Sequence, residues 1–260
     1  MTNKIKKQAE RHNMEYCFKS DKGLVRPENQ DRVGVVVKGK WVLAILCDGM
    51  GGHYGGAKAA SVTLDAFETY FNNNFPVNID YKDKKTINAW FNDALAVIKK
   101  ALQKVAFDDP TFADMGTTLT AALIYPSEKH IYVFNIGDSR TYIYNGLLYQ
   151  VTEDQNVQNQ LINEGMKPHE AMHHPWANKL TSCLGPNKVM TPNGNVYNKE
   201  SNAQYVILTS DGLHDWVEKP LFERTIQSKS LSLEEKADSL INFAKKNMSN
   251  DNMSIVLVEI

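Results

Sequence analysis

Cysteine is scarce in this chain: three occur among 260 residues, Cys17, Cys47 and Cys183. An odd number at wide spacing argues against a disulfide framework or a zinc knuckle, and makes a reducing cytoplasm the expected setting. A surplus of either charge is missing as well. The 29 Lys+Arg and 30 Asp+Glu residues leave a formal charge of −1. A chain held to nucleic acid by its overall field would be strongly basic, so no nucleic-acid partner is expected. No apolar run approaches the roughly 20 residues of a membrane span, and no membrane association is expected. The first 20 residues, MTNKIKKQAERHNMEYCFKS, are basic without the apolar stretch of a signal peptide. Repeats and low-complexity segments are absent too. What is present is a globular composition: 42% hydrophobic and 10% aromatic residues, too rich for disorder. Residues 1–260 read as one domain, expected to be monomeric.

Periodicity divides the chain into short β-rich runs and two longer helical stripes. Val33 to Val37 and Trp41 to Cys47 read as strands joined at Lys38-Gly39-Lys40. Residues 48–56 hold five glycines in nine positions and are expected to be a loop where backbone approaches something closely. Helices are expected from Ala57 to about Phe71 and from about Lys84 to Val105, each with an apolar stripe at three- and four-residue spacing. Strands are expected over Thr117–Tyr125, His130–Ile136, Arg140–Tyr144 and Leu147–Val151, the last two joined by Asn145-Gly146. Residues 155–202 read as a short helix and a long surface excursion. A strand at Tyr205–Thr209, a helix at Leu233–Met248 and a strand at Ser254–Glu259 complete the pattern. Without regular βαβ alternation, this predicts a layered α+β fold of mainly antiparallel sheets.

The aspartates are placed unevenly. Asp48 follows WVLAILC, Asp138 follows HIYVFNI, Asp211 follows YVILT, Asp251 precedes MSIVLVEI, and Asp31 precedes VGVVV. Each of these turns is ordinary on its own. Five carboxylates at strand ends can converge on one edge, however, and such a cluster needs cations or protons to be tolerated. Oxygen ligands without His or Cys partners favour a hard cation, Mg²⁺ or Mn²⁺, over zinc. A pair of such ions suits a displacement at phosphorus.

The series Arg26-x-x-Asn29-x-Asp31, Asp48-Gly49-Met50-Gly51-Gly52-His53, Gly116-Thr117-Thr118, Gly137-Asp138-Ser139-Arg140, Ser210-Asp211-Gly212 and Asp251-Asn252 resembles the bacterial branch of the PPM/PP2C metal-dependent Ser/Thr protein phosphatases. The resemblance runs from about residue 23 to the C-terminus. It implies a four-layer α-β-β-α sandwich of two antiparallel sheets flanked by helices, and hydrolysis of phosphomonoesters by water activated at a binuclear Mn²⁺ or Mg²⁺ centre. It further implies that Asp48 bridges two metals, that the Gly49 carbonyl binds one, and that Asp211 and Asp251 complete the other. Asp138, with Asp211, matches the site of a third metal. Arg26 would bind the phosphate, a role its planar fork suits. Asp31, Gln30, His53 and Asn252 fall in the outer shell, with Gln30 where many members carry an acidic residue. Asp154-Gln155-Asn156 lacks the histidine common there. Residues 178–185 resemble the stretch that follows the family's flap, which places the flap at about 155–176.

Two readings of His53 stay open: a proton donor to the leaving alkoxide or hydrogen-bond partner of a metal-bound water, and a purely structural contact behind the metals. His169, His173 and His174, flanked by Pro168 and Pro175, are expected to face solvent, and Cys47 to face the core. No Cys-x5-Arg loop supports cysteine-based phosphatase chemistry, and no G-x4-GK[ST] loop supports nucleotide hydrolysis. The implied partner is a phosphorylated protein, a Ser/Thr kinase or one of its targets. One alternative is a catalytically silent member of the same family acting as a binding module, which would be expected to have lost a ligand aspartate; another is a metal-dependent hydrolase of a small phosphate ester.

Overall fold

The computed structural model describes residues 14–51 and 55–260. In chain order the strands are β1 (Tyr16–Asp21), β2 (Arg32–Lys38), β3 (Trp41–Cys47), β4 (Gly49–Met50), β5 (Gly116–Thr117), β6 (Leu119–Tyr125), β7 (His130–Ile136), β8 (Arg140–Tyr144), β9 (Leu148–Gln150), β10 (Asn193–Tyr197), β11 (Tyr205–Thr209) and β12 (Met253–Glu259). The helices are α1 (Gly55–Asn74), α2 (Lys84–Asp108), α3 (Val157–Asn163), α4 (Pro168–Met172), α5 (Asp211–His214), α6 (Lys219–Gln227) and α7 (Leu233–Lys246).

Two five-stranded antiparallel sheets carry the fold, ordered β1-β12-β11-β8-β9 and β10-β7-β6-β3-β2. Central strands such as β3 and β7 are buried throughout, without alternation, because both faces are covered. In β3, Trp41, Leu43, Ile45 and Cys47 pack with α1 and α2, in a cluster that includes Phe67, Phe71, Trp90 and Leu95. The intervening Val42, Ala44 and Leu46 meet Val206, Leu208, Val256 and Val258 of the other sheet. That sheet's outer side, with Ile207, Ile255 and Leu257, is closed by Phe222 of α6 and Leu240 of α7. The layers therefore run helices, sheet, sheet, helices, as the resemblance implied.

Local chemistry sets the helix boundaries. Asp83 caps α2 by accepting the Thr86 N–H at 3.1 Å. Ser232 and Glu235 form a reciprocal capping box at the start of α7.

Several expectations need correction. The glycine-rich segment contains regular structure: Gly49–Met50 pairs with Gly116–Thr117, and α1 begins at Gly55. The strand expected at Thr117–Tyr125 is broken at Thr118, whose backbone N–H donates to the Asp48 carbonyl at 2.8 Å. β1, β10, α5 and α6 were not expected, nor was a second helix between residues 155 and 202. β10, NGNVY, looks like a loop in sequence and gains its strand geometry by pairing along β7. β1 ends in Lys19-Ser20-Asp21, a polar run tolerated because Lys19 ion-pairs with Asp238. No helix among the described residues is long and apolar enough to cross a membrane.

Candidate active site

The two sheets present their strand ends to a cleft of about 680 Å³ lined by Arg26, Asp48, Gly49, Asp138, Asp211 and Asp251, among others. Asp48 leaves the end of β3, and its backbone is held on both sides. Its N–H donates to Thr118 Oγ1 at 2.9 Å, and its carbonyl accepts from Thr117 Oγ1 at 2.9 Å. Thr118 Oγ1 also bonds Ser139 Oγ at 2.8 Å, so one hydroxyl ties the segment carrying Asp48 to the turn carrying Asp138. That turn is kept open from the other side by Gln155, whose Oε1 accepts the Gly137 N–H at 2.8 Å. Gln155 thus has a definite structural task. Beside it, Asp154 grips Arg140 through bonds of 2.7 and 3.0 Å.

Glycine is required at two positions around the cleft. A Cβ on Gly49 would collide with the Gly56 carbonyl, and one on Gly212 would fall on the Asn252 carbonyl. Both contacts let loop backbones close on the cleft floor.

The electrostatics of the cleft are dominated by like charge. Burial, followed by the charges of Asp31, Asp211, Asp138 and Asp251, pushes the Asp48 carboxyl well above the ordinary range. Burial and then Asp251 raise Asp211 to about 7. Burial and then Asp211 raise Asp138 to about 8. Asp31 is 2% exposed and rises to about 6 through burial, although Ser210 Oγ and Ser254 Oγ donate to it at 2.8 and 2.6 Å. Asp211 Oδ1 is buried with no hydrogen-bond partner. Arg26 is the one basic side chain among the described residues lining this cleft.

Arg26 sits at the lip with half its side chain exposed, and its Nη2 donates to Asp251 Oδ2 at 2.5 Å while Nε donates to the Asn250 carbonyl. It is therefore engaged with a carboxylate of the cleft. Asn252 ties the same loop down: Oδ1 accepts the Gln30 N–H, and Nδ2 donates to the Lys22 and Glu28 carbonyls. His53 lies outside the described residues. His169 and His173 are exposed, with rings 4.5 Å apart, while His174 is half-buried, so the expectation that all three face solvent holds only for the first two. Cys47 is fully buried, as expected.

Among the described residues, no three Asp, Glu, His or Cys side chains are drawn together as a ready-made metal cage. The donor set nevertheless fits hard divalent cations. It is all oxygen, it includes the orphaned Asp211 Oδ1, and its carboxyls repel one another. Loosely spaced carboxylates suit ions that keep much of their hydration shell. Thr118, Ser210 and Ser254 support the cleft, and Asn178 and Leu180 line it, without having been expected to. Thr118 stood in a recognised motif, but Ser254 had no signal, being one serine inside an apolar strand.

Comparison with known proteins agrees with this architecture. Staphylococcus aureus Ser/Thr phosphatase Stp1 superposes with a TM-score of 0.83 at 29% identity, covering 99% of both chains. The catalytic domain of the Ser/Thr protein phosphatase PstP, solved with two manganese ions, gives 0.77 at 28% identity over 95% of this chain and 97% of that one. The fold is thus that of the metal-dependent protein phosphatases. The Listeria innocua Ser/Thr phosphatase Stp is 31% identical over 246 residues, covering 93% of this chain and 94% of that protein. The protein phosphatase 2C model matches residues 26–258, and the chain belongs to that family.

Proposed function

We propose that the cleft hydrolyses phosphoserine and phosphothreonine esters of proteins at a binuclear Mn²⁺ or Mg²⁺ centre. The observation that carries this reading is the convergence of Asp48, Asp138, Asp211 and Asp251 on one cleft where burial, and after it mutual repulsion, holds three of them well above the ordinary carboxyl range. Two cations there would make a water nucleophilic at neutral pH and offset negative charge gathering on the phosphoryl oxygens.

Asp48, the Gly49 carbonyl, Asp211 and Asp251 would hold the two ions. Asp138, with Asp211, is assigned a third, weaker site. Asp31 and Asn252 act from behind: Asp31 is anchored by two serine hydroxyls, and Asn252 fixes the loop of Gln30. Gln30 and His53 keep outer roles. Arg26 stands at the lip, where swinging from Asp251 to an incoming phosphate exchanges one oxyanion for another at modest cost. Residues 155–176, which include α3 and α4, form the flap. The protein works as a monomer in the cytoplasm, where its three buried free thiols stay reduced. A Ser/Thr kinase or its targets supply the substrate. The presence of every aspartate in the set speaks against a silent binding module.

The test is hydrolysis of p-nitrophenyl phosphate and of phospho-Ser, phospho-Thr and phospho-Tyr peptides with Mn²⁺ and with EDTA. Activity should require the metal and favour the Ser and Thr peptides. Asp48→Asn should lower kcat by about 100-fold or more, with less bound manganese by elemental analysis. Full activity in EDTA or in the variant would overturn the assignment.

A further inference from the structure

The loop from β1 to β2 combines a rigid frame with an apolar tip. Asn252 Nδ2 donates to the Lys22 carbonyl at 2.8 Å and to the Glu28 carbonyl at 2.9 Å, so one side chain pins both ends. Gly23, at φ +78°, lies against the Asp251 carbonyl, and its N–H donates to Asp21 Oδ1 at 2.8 Å. Asn29 Nδ2 adds a bond to Ser20 Oγ. Between these fastenings Leu24 and Val25 hold their side chains in water, 61% and 66% exposed. The next three residues, Arg26, Pro27 and Glu28, line the catalytic cleft.

Single exposed apolar residues need no explanation, but an adjacent pair on a braced loop beside a substrate cleft marks a contact surface. A second apolar pair, Met172 and Trp176, is 54% and 66% exposed on the segment leading to Asn178 and Leu180, which also line the cleft. A protein substrate places its phosphoryl group in the cleft while its main chain stays outside, against whatever surrounds the opening. The pinned backbone lets such a contact form without first ordering the loop.

We infer that Leu24 and Val25 select phosphorylated segments carrying a bulky aliphatic side chain close to the phosphorylated residue. Two residues span at most about 7 Å, and the chain bends at Leu24 and Val25, so the separation of Leu24 from Arg26 limits the reach to one to three positions. The surface continues directly from the cleft lining, which makes the occupant of the cleft its occupant too. This inference rests on the phosphoprotein reading above.

The experiment uses the full chain with Mn²⁺ and pairs of phosphothreonine peptides that differ only in Leu or Ser at positions one to three on either side. Wild-type kcat/KM should favour the leucine member at one or more positions by about tenfold. In Leu24→Ser/Val25→Ser that ratio should fall to within about twofold of unity; in Leu24→Ile/Val25→Leu it should persist. A wild-type ratio near one, or a ratio untouched by the serine pair, overturns the inference. So does a dimer in sedimentation that the serine pair dissociates while peptide ratios stay at one, since the patch would then join two copies. Hydrolysis of p-nitrophenyl phosphate with equal peptide rates sinks the loop's role alone. No hydrolysis of any ester sinks the phosphatase reading and this inference with it.

Discussion

Thr118→Val removes one hydroxyl and almost no volume, from a residue 2% exposed. That oxygen accepts the Asp48 N–H at 2.9 Å and bonds Ser139 Oγ at 2.8 Å. After substitution the Asp48 N–H faces a methyl group. An unpaired buried donor costs about 1–3 kcal/mol and the lost hydroxyl pair about 1 kcal/mol more, so the variant should lose about 2–4 kcal/mol. At about 2–4 °C per kcal/mol for a chain of this size, the melting temperature should fall by about 4–16 °C. A purely structural defect would end there. Because the same hydroxyl joins the Asp48 segment to the Asp138 turn, the Mn²⁺ midpoint should also rise, by about tenfold for each 1.4 kcal/mol of misplacement. Calorimetry in EDTA reads the first quantity, and isothermal Mn²⁺ titration the second. Thr118→Ser should recover most of both. A Thr118→Val protein that melts within about 1 °C of wild type and binds Mn²⁺ with an unchanged midpoint would refute the argument.

Arg26→Ala removes a half-exposed ion pair with Asp251, worth at most about 1 kcal/mol, so melting should move little. KM for phosphate esters should rise by about tenfold or more if the guanidinium receives the phosphate; unchanged KM in steady-state assays would leave Arg26 as an Asp251 partner only. Without metal, stability should fall as pH rises. Asp31, Asp211 and Asp138 have folded pKa values raised from 3.8 to about 6, 7 and 8. A raised carboxyl contributes stability that is complete below its unfolded pKa and is lost as pH climbs through the folded value. Melting temperature in EDTA should therefore decline from about pH 4 to pH 8, and Mn²⁺ should restore it most at the alkaline end. A flat or rising profile in EDTA would contradict the clustering.

The amino-acid sequence by itself determined the long elements and the identity of the acidic set. Apolar runs such as WVLAILC and HIYVFNI are strands wherever they pack, and the stripes of α1 and α2 match a sheet surface by spacing alone. Six ordered motifs, five of them holding an aspartate at a strand end, were enough to expect a metal-dependent phosphatase. Other features depended on partners distant in the chain, which no local pattern records. β10 is a strand because β7 offers it an edge, 57 or more positions earlier. Thr118 breaks a strand because Asp48 claims both its N–H and its hydroxyl. Ser254 serves the cleft because Asp31, 223 positions earlier, needs its hydroxyl. Arg26 rests on Asp251, 225 positions away, a pairing of charges that composition averages to nothing. Short-range patterns follow from backbone geometry and burial. Which polar group meets which is decided only when the sheets pack face to face, since a hydrogen bond or ion pair depends on distances of a few ångströms that spacing along the chain does not contain.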